Sequence, residues 1–155
     1  MTKTLDMNTS NEIEIKNTDS IYTLSIASKL SGIPAHSIRQ YIDKGLIIPF
    51  TTKSKRHLFS QIDVLRLKCI RKNLNEDGLN IAGIKALYSI IPCWEIKPCS
   101  KEDRKDCGAY QDHSQPCWDA SNKSEVCLNS DCRECAVYKI PEGCQDVKSL
   151  IKRYI

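Results

Sequence analysis

No part of this 155-residue sequence approaches the roughly 20 consecutive apolar residues needed to span a bilayer, and the N-terminus lacks an apolar signal core. Neither a secreted nor an integral membrane protein is expected, and no membrane partner. Also missing are a paired nucleophile and base, two carboxylates placed for acid–base work and a glycine-rich phosphate loop, so no enzyme is expected. The chain is too short for more than one ordinary domain, or two small ones each poor in core. A hydrophobic content of 41% is nonetheless globular and excludes wholesale disorder.

Sulfur is what the sequence has in quantity. Of 9 cysteines, Cys69 stands alone and the rest fall between Cys93 and Cys144. A segment that dense in cysteine uses its sulfurs as staples, through disulfides or a bound metal. Charge is as uneven: residues 22–91 hold eleven Lys and Arg against four Asp and Glu, and residues 92–155 hold ten against eleven. The net +4 therefore conceals a strongly basic middle segment, which points to a polyanion partner, a solvated lysine-rich surface being the alternative.

Residues 1–21 are polar and without sustained period, and are expected as a flexible tail. From Tyr22 a helical pattern places Ile26, Ala27, Leu30 and Ile33 on one face. Ser31-Gly32-Ile33-Pro34 interrupts it, and a second helix is predicted from Ala35 to Lys44, burying Ile38, Tyr41 and Ile42 and stopped by Gly45. Two short helices about such a turn make a helix-turn-helix. The apolar run Leu46–Phe50, a basic polar loop and Leu58-Phe59 predict a β-hairpin, although no Asn-Gly turn marks it. Ser60 and Asp63 are suited to open a further helix burying Ile62, Leu65, Cys69, Ile70 and Leu74. A last helix, Asn80 to Ile91, would bury Ile81, Ile84, Leu87 and Ile91 and end at Pro92. Cys69, on an apolar helical face, is expected as an inert buried thiol.

This order is that of a winged helix-turn-helix. The residues Tyr22-Thr23-Leu24 to Ala27, Ser31-Gly32-Ile33, Ser37-Ile38-Arg39, Tyr41, Lys44-Gly45-Leu46-Ile47, Pro49, Leu58-Phe59-Ser60, Asp63, Leu65, Gly78-Leu79 and Ile84 resemble the MerR-family DNA-binding domain over residues 22–87. The resemblance implies a second helix in the major groove, offering His36, Ser37, Arg39 and Gln40 with Tyr41 at the seam. It also implies a wing whose Lys53, Lys55, Arg56 and His57 grip phosphate. Family members commonly have Tyr-Tyr where Gln40-Tyr41 stands, and Tyr-Arg-Leu-Tyr where Arg56-His57-Leu58-Phe59 stands. His57 thus occupies the usual arginine position, and Arg56 is expected to take over the phosphate contact. The long dimerisation helix usual in the family has no room before Pro92, so a homodimer would have to use other surfaces.

The C-terminal cysteines are Cys93, Cys99, Cys107, Cys117, Cys127, Cys132, Cys135 and Cys144, all candidate metal ligands. The tripeptides Cys93-Trp94-Glu95 and Cys117-Trp118-Asp119 repeat. With Cys99, Cys107, Ala109-Tyr110, the Cys132-x2-Cys135 pair and Tyr138-Lys139, they resemble the two-CW domain over residues 93–140, with Cys144 outside. Cys127-x4-Cys132-x2-Cys135 has plant-type iron–sulfur spacing, which favours an iron–sulfur cluster. Zinc is the rival, although zinc ribbons usually have two Cys-x2-Cys pairs. Disulfides are a third reading, opposed by a reducing cytoplasm. Ala136 after Cys135 excludes heme attachment. His113 is expected as a solvated loop residue, while Trp94 and Trp118 could shield a cluster or simply pack a small core. Residues 145–155 read as an amphipathic helix on Val147, Leu150, Ile151 and Tyr154.

The expected fold is mainly α. A winged helix-turn-helix with a β-hairpin wing (residues 22–91) precedes a small irregular domain stapled by metal or cluster (residues 92–144) and the C-terminal helix. The expected function is a cytoplasmic, sequence-specific transcription regulator that binds double-stranded promoter DNA, has RNA polymerase as a further partner, and senses redox or metal state. Two alternatives remain: an excisionase-like architectural DNA-binding protein, and a metal- or redox-handling protein with a nucleic-acid docking domain.

Overall fold

The computed structural model describes residues 13–139 and 147–154; Cys144 and most of the expected tail lie outside the described residues. Part of that tail is attached to the fold. Ile62 N–H donates to Asn17 C=O at 3.2 Å, and Ile21 N–H to Phe59 C=O at 3.1 Å.

Strand β1 (Tyr22–Thr23) leads into helix α1 (Leu24–Ser31), whose N-cap Thr23 accepts from Ile26 N–H. Gly32 ends α1 at φ 72°, a left-handed conformation that glycine adopts without steric cost. Helix α2 (Ala35–Asp43) follows. Strands β2 (Phe50–Thr51) and β3 (His57–Phe59) form the wing hairpin, and β1 joins it to give an antiparallel sheet of order β1-β3-β2. Tyr22 pairs with Phe59, and Phe50 with Leu58.

Two expectations are corrected here. Ile26 and Leu30 are exposed at 43% and 45%, while Ala27 and Ser31 are buried. The buried stripe of α1 is therefore Ala27 and Ser31, flanked by half-buried Leu24 and turned toward the next long helix, with the Ser31 hydroxyl satisfied by Ala27 C=O at 2.7 Å. The apolar run Leu46–Phe50 is strand only at its end. Leu46 and Ile47 are wholly buried, because their contribution to the core outweighs pairing in so short a sheet.

Helix α3 (Gln61–Asn75) opens with a capping box between Ser60 and Asp63, as its sequence predicts. It is buried on most of its circumference, through Ile62, Asp63, Val64, Arg66, Leu67, Cys69 and Ile70, with Leu65 only half-buried. Cys69 is disulfide-bonded, which corrects the expectation of an inert thiol. Helix α4 (Ile81–Ser89) is capped by Asn80 and buries Ile84 and Tyr88; Leu87 is only half-buried.

Beyond Ile91 the chain forms single turns: α5 (Cys93–Ile96), α6 (Lys101–Lys105), α7 (Gly108–Gln111), a 3-10 turn at Cys117–Asp119, α8 (Glu125–Leu128), a second 3-10 turn at Cys132–Glu134, and α9 (Ala136–Lys139). None is long enough to be stable alone. The segment packs instead on the other flank of α3, where Trp118, Val137 and Tyr138 join one core with Ile70, Ile84 and Tyr88. Helix α10 (Val147–Tyr154) adds Leu150, 2% exposed, to the same core.

The junction centres on Arg66, which is 1% exposed. Its guanidinium carbon lies 4.2 Å from the ring centre of Tyr138, 4.6 Å from Trp118 and 5.3 Å from Tyr88. The group donates to Tyr138 C=O, while its Nε and Nη1 have no hydrogen-bond partner. Cation–π attraction compensates those donors in part. Beside it the Tyr138 hydroxyl donates to Asp63 at 2.7 Å and accepts from Ile48 N–H at 3.1 Å.

Candidate nucleic-acid interface and cysteine-lined cavity

The helix-turn-helix sets α2 so that Ile38 and Tyr41 point into the core and the intervening side chains point out. His36, Arg39 and Gln40 are exposed, and Ser37 is half-buried. Tyr41 stands apart: at 8% exposure it belongs to the core, and burial pushes its phenol above the ordinary value. The wing loop is ordered by Thr52, whose N–H donates to Arg56 C=O at 2.8 Å and whose hydroxyl accepts from Arg56 N–H at 3.1 Å. Lys55 takes φ 62° at its tip. Lys53, Lys55 and Arg56 are exposed, and His57 Nδ1 lies 3.2 Å from the Thr51 hydroxyl.

A groove between α1, α2 and the wing brings Arg39 together with Lys55, Arg56 and His57. Thr23, Ser25, Ser28 and Lys29 line its far wall, with Asp43 the acidic member. Sequence reasoning missed these α1 residues, although Lys29 belongs to the basic segment that drew attention to the region. His36, Ser37, Gln40 and Lys53 are not in that lining. A groove edged by cations and hydroxyls suits a phosphate backbone.

The second feature is a cavity of about 40 Å³ whose wall includes Cys93, Cys99, Cys107, Cys117, Cys127, Cys132 and Cys135. These seven sulfurs, on or beside successive short turns, are all free thiols. Cys144 lies outside the described residues. Local structure explains the convergence. Cys93, Cys117 and Cys132 each begin a one-turn helix, and Cys107 and Cys135 immediately precede one. Gly108 permits one close approach, because a Cβ there would strike Ser121 C=O.

Four of the sulfurs, Cys93, Cys117, Cys132 and Cys135, pack against the main core, whereas Cys107 belongs to a small outer cluster with Ala109 and Ala120. The two Cys-Trp cysteines meet. A hydrogen bond with Cys117 brings the Cys93 thiol down to about 7, against the effect of burial. Cys117 is pushed up by that same bond, by burial, and by Cys93, Cys135 and Cys132 as neighbours. Cations touch the wall: Lys123 Nζ is 3.7 Å from Cys132 Sγ, and Arg104 Nε is 3.4 Å from Cys99 Sγ.

Among the described residues no three His, Cys, Asp or Glu side chains are gathered closely enough to hold a single metal ion. The sulfurs surround a space rather than a point. Trp94 meets Tyr110 edge-on at 5.3 Å, and with Trp118 both line the cavity. His113 is exposed and outside the lining.

Residues 22–89 match the family described as MerR HTH family regulatory protein. The chain is 30% identical over 80 residues to the putative heat shock protein HspR of Streptomyces coelicolor, covering 52% of this chain and 53% of that one. It is 42% identical over 65 residues to the HTH-type transcriptional regulator GlnR of Bacillus anthracis, covering 42% and 50%. The GlnR of Bacillus cereus gives the same figures. This chain thus spans about half the length of these relatives. The family match ends at residue 89, before the first Cys-Trp pair. Among the described residues no helix is long and apolar enough to cross a membrane.

Proposed function

We propose, from the premise that residues 22–89 form a MerR-family helix-turn-helix domain, that this protein is a non-enzymatic transcription regulator whose C-terminal cysteines hold an iron–sulfur cluster and govern its DNA binding. The observation that carries the DNA half is the groove uniting Arg39 with Lys55, Arg56 and His57. Arg39 would read a base edge, bidentate to guanine, while the wing cations would hold phosphate. The protein would act on promoter DNA as a dimer, since paired half-sites multiply the limited affinity of one wing and one short helix. The GlnR relatives are by name transcriptional regulators, which agrees with a regulatory rather than a catalytic role.

The seven sulfurs around one space carry the cofactor half. We assign the ligands as Cys93, Cys117, Cys132 and Cys135, the four that abut the core. Four thiolates distributed about a space suit a polynuclear cluster, which takes its thiolates on different irons. A lone zinc needs them converging on one point, and no such gathering exists among the described residues. When bound, the cluster supplies a redox-sensitive charge. The protein's own residues supply its setting: Trp94, Trp118 and Tyr110 limit water, and Lys123 and Arg104 offset negative charge on the sulfurs.

The test is an anaerobic purification followed by iron, sulfide and zinc analysis and DNA titration before and after oxidation or chelation. A brown protein with iron and sulfide, and a changed affinity for a selected duplex, is expected. A colourless protein with one zinc and unchanged affinity would replace the sensor with a structural metal.

A further inference from the structure

The segment joining the second helix to the wing is held at three points by the cysteine module. Gly45, which ends α2 at φ 73°, gives its carbonyl to the Trp118 indole N–H at 2.9 Å. Ile48 N–H donates to the Tyr138 hydroxyl at 3.1 Å. Phe50, the first residue of β2, lies under the Arg133 guanidinium, 4.8 Å from carbon to ring centre. Each holding residue is within three positions of a cysteine that abuts the core: Trp118 follows Cys117, Arg133 follows Cys132, and Tyr138 is three beyond Cys135.

Two further contacts make the first point stiff. Asp119 is held by Lys85 at 3.7 Å, and a Cβ on Gly45 would strike the Asp119 carboxylate. The Asp119 side chain therefore sits against the Gly45 backbone as closely as glycine allows. Tyr138 is fixed from its other side by Asp63 at 2.7 Å, in the first turn of α3. The hydrogen bonds of Trp118 and Tyr138 are buried or partly buried, where a lost partner costs most.

We propose that Trp118, Tyr138 and Arg133 are positioning residues for DNA reading: they clamp residues 45–50, and so fix the angle and spacing between the recognition helix and the wing of the same subunit. A change in the cysteine cavity is then transmitted inside one subunit, through a few residues, before any rearrangement between subunits. The inference rests on the reading of residues 22–89 as DNA-binding and of the cavity as the sensing site. The intrasubunit route follows from the contacts themselves. Nothing in it requires a long dimerisation helix.

The test uses the full chain, purified anaerobically, and a duplex selected by the wild type from a random pool. Trp118→Phe keeps an aromatic ring but loses the N–H. Tyr138→Phe keeps the ring and loses the hydroxyl. Tyr154→Phe, in α10 and in the lining of neither the cavity nor the groove, is the control. Two quantities are read: the ratio of Kd for a random duplex to Kd for the selected one, and amide hydrogen exchange of residues 46–50 without DNA.

We expect the ratio to fall about five- to tenfold in each clamp variant, the size of one ordinary hydrogen bond. Exchange at Ile48 should quicken by a similar factor in Tyr138→Phe, and Tyr154→Phe should change neither quantity. A merely structural role would lower thermal stability while leaving the discrimination ratio of the folded protein unchanged, and that result would overturn the proposal. Should Tyr138→Phe fail to fold, Trp118→Phe decides alone. If the wild type discriminates no duplex, the DNA reading itself fails. Exchange at residues 46–50 then judges the clamp: wild-type rates in the variants reject it, and faster rates retain it.

Discussion

Arg66 shows how much one buried side chain can be asked to do. It is enclosed by three aromatic rings and donates to the Tyr138 carbonyl, and where burial raises the Asp63 carboxyl above its ordinary value, the Arg66 charge works against that rise. Truncation removes the cation–π partner and leaves Asp63 without that support. Arg66→Ala should lower the unfolding free energy by roughly 3–5 kcal/mol in denaturant titration, and Arg66→Met, which refills the space without a charge, should recover much of it. Gly45→Ala should cost about 1–2 kcal/mol from its left-handed backbone alone, with Asp119 adding to that. Arg39→Ala should relax sequence preference by about 1–3 kcal/mol, whereas Lys55→Ala should weaken all duplexes alike and reduce the salt slope by about one. Anisotropy titrations at several salt concentrations separate the two.

At the level of the element, the local chemistry of residues was the legible part. Ser60 and Asp63 form the capping box that their spacing implies, and Gly45 ends α2. Ser60→Ala should therefore cost about 1 kcal/mol, read from the unfolding midpoint at constant slope. What period alone misjudged was which face of a short helix wins. In α1, Ile26 and Leu30 look like core, yet the stripe that meets α3 is Ala27 and Ser31, because close packing of two helices favours small side chains there. The strand β1 had no signal of its own, since two residues carry no period. The cysteine spacing said that sulfurs act together, but not that the two Cys-Trp cysteines would meet. Arg66 carries no signal that separates it from the other basic residues of the middle segment, because burial by a segment more than fifty positions downstream leaves no mark in local sequence.

Over the whole molecule, α3 is the shared wall. One flank carries the helix-turn-helix, and the other receives Trp118, Val137 and Tyr138. The cysteine segment has little core of its own, so its order depends on that wall and, on the reading proposed above, on a bound cluster. Chelation should release the cofactor, lower the thermal midpoint and raise amide exchange across residues 93–139, while α1 and α3 stay protected. Cys117→Ser should do the same without chelator. Cys127→Ser, outside the proposed ligand set, should retain most of the iron. Metal analysis and exchange on the same samples check both statements.

The single turns that deliver the sulfurs have a consequence for biosynthesis. The chain emerges with residues 22–89 first, and these can fold before the last cysteine has been added. The surface around Arg66 then exists as a template, waiting for Trp118 and Tyr138 to arrive. During that interval the C-terminal thiols are exposed, as each is added, to whatever oxidants and metals the cell contains. Maturation is thus a stage open to error, and, on the cluster reading proposed above, the yield of cluster-bearing molecules should follow the redox state of the cell during synthesis.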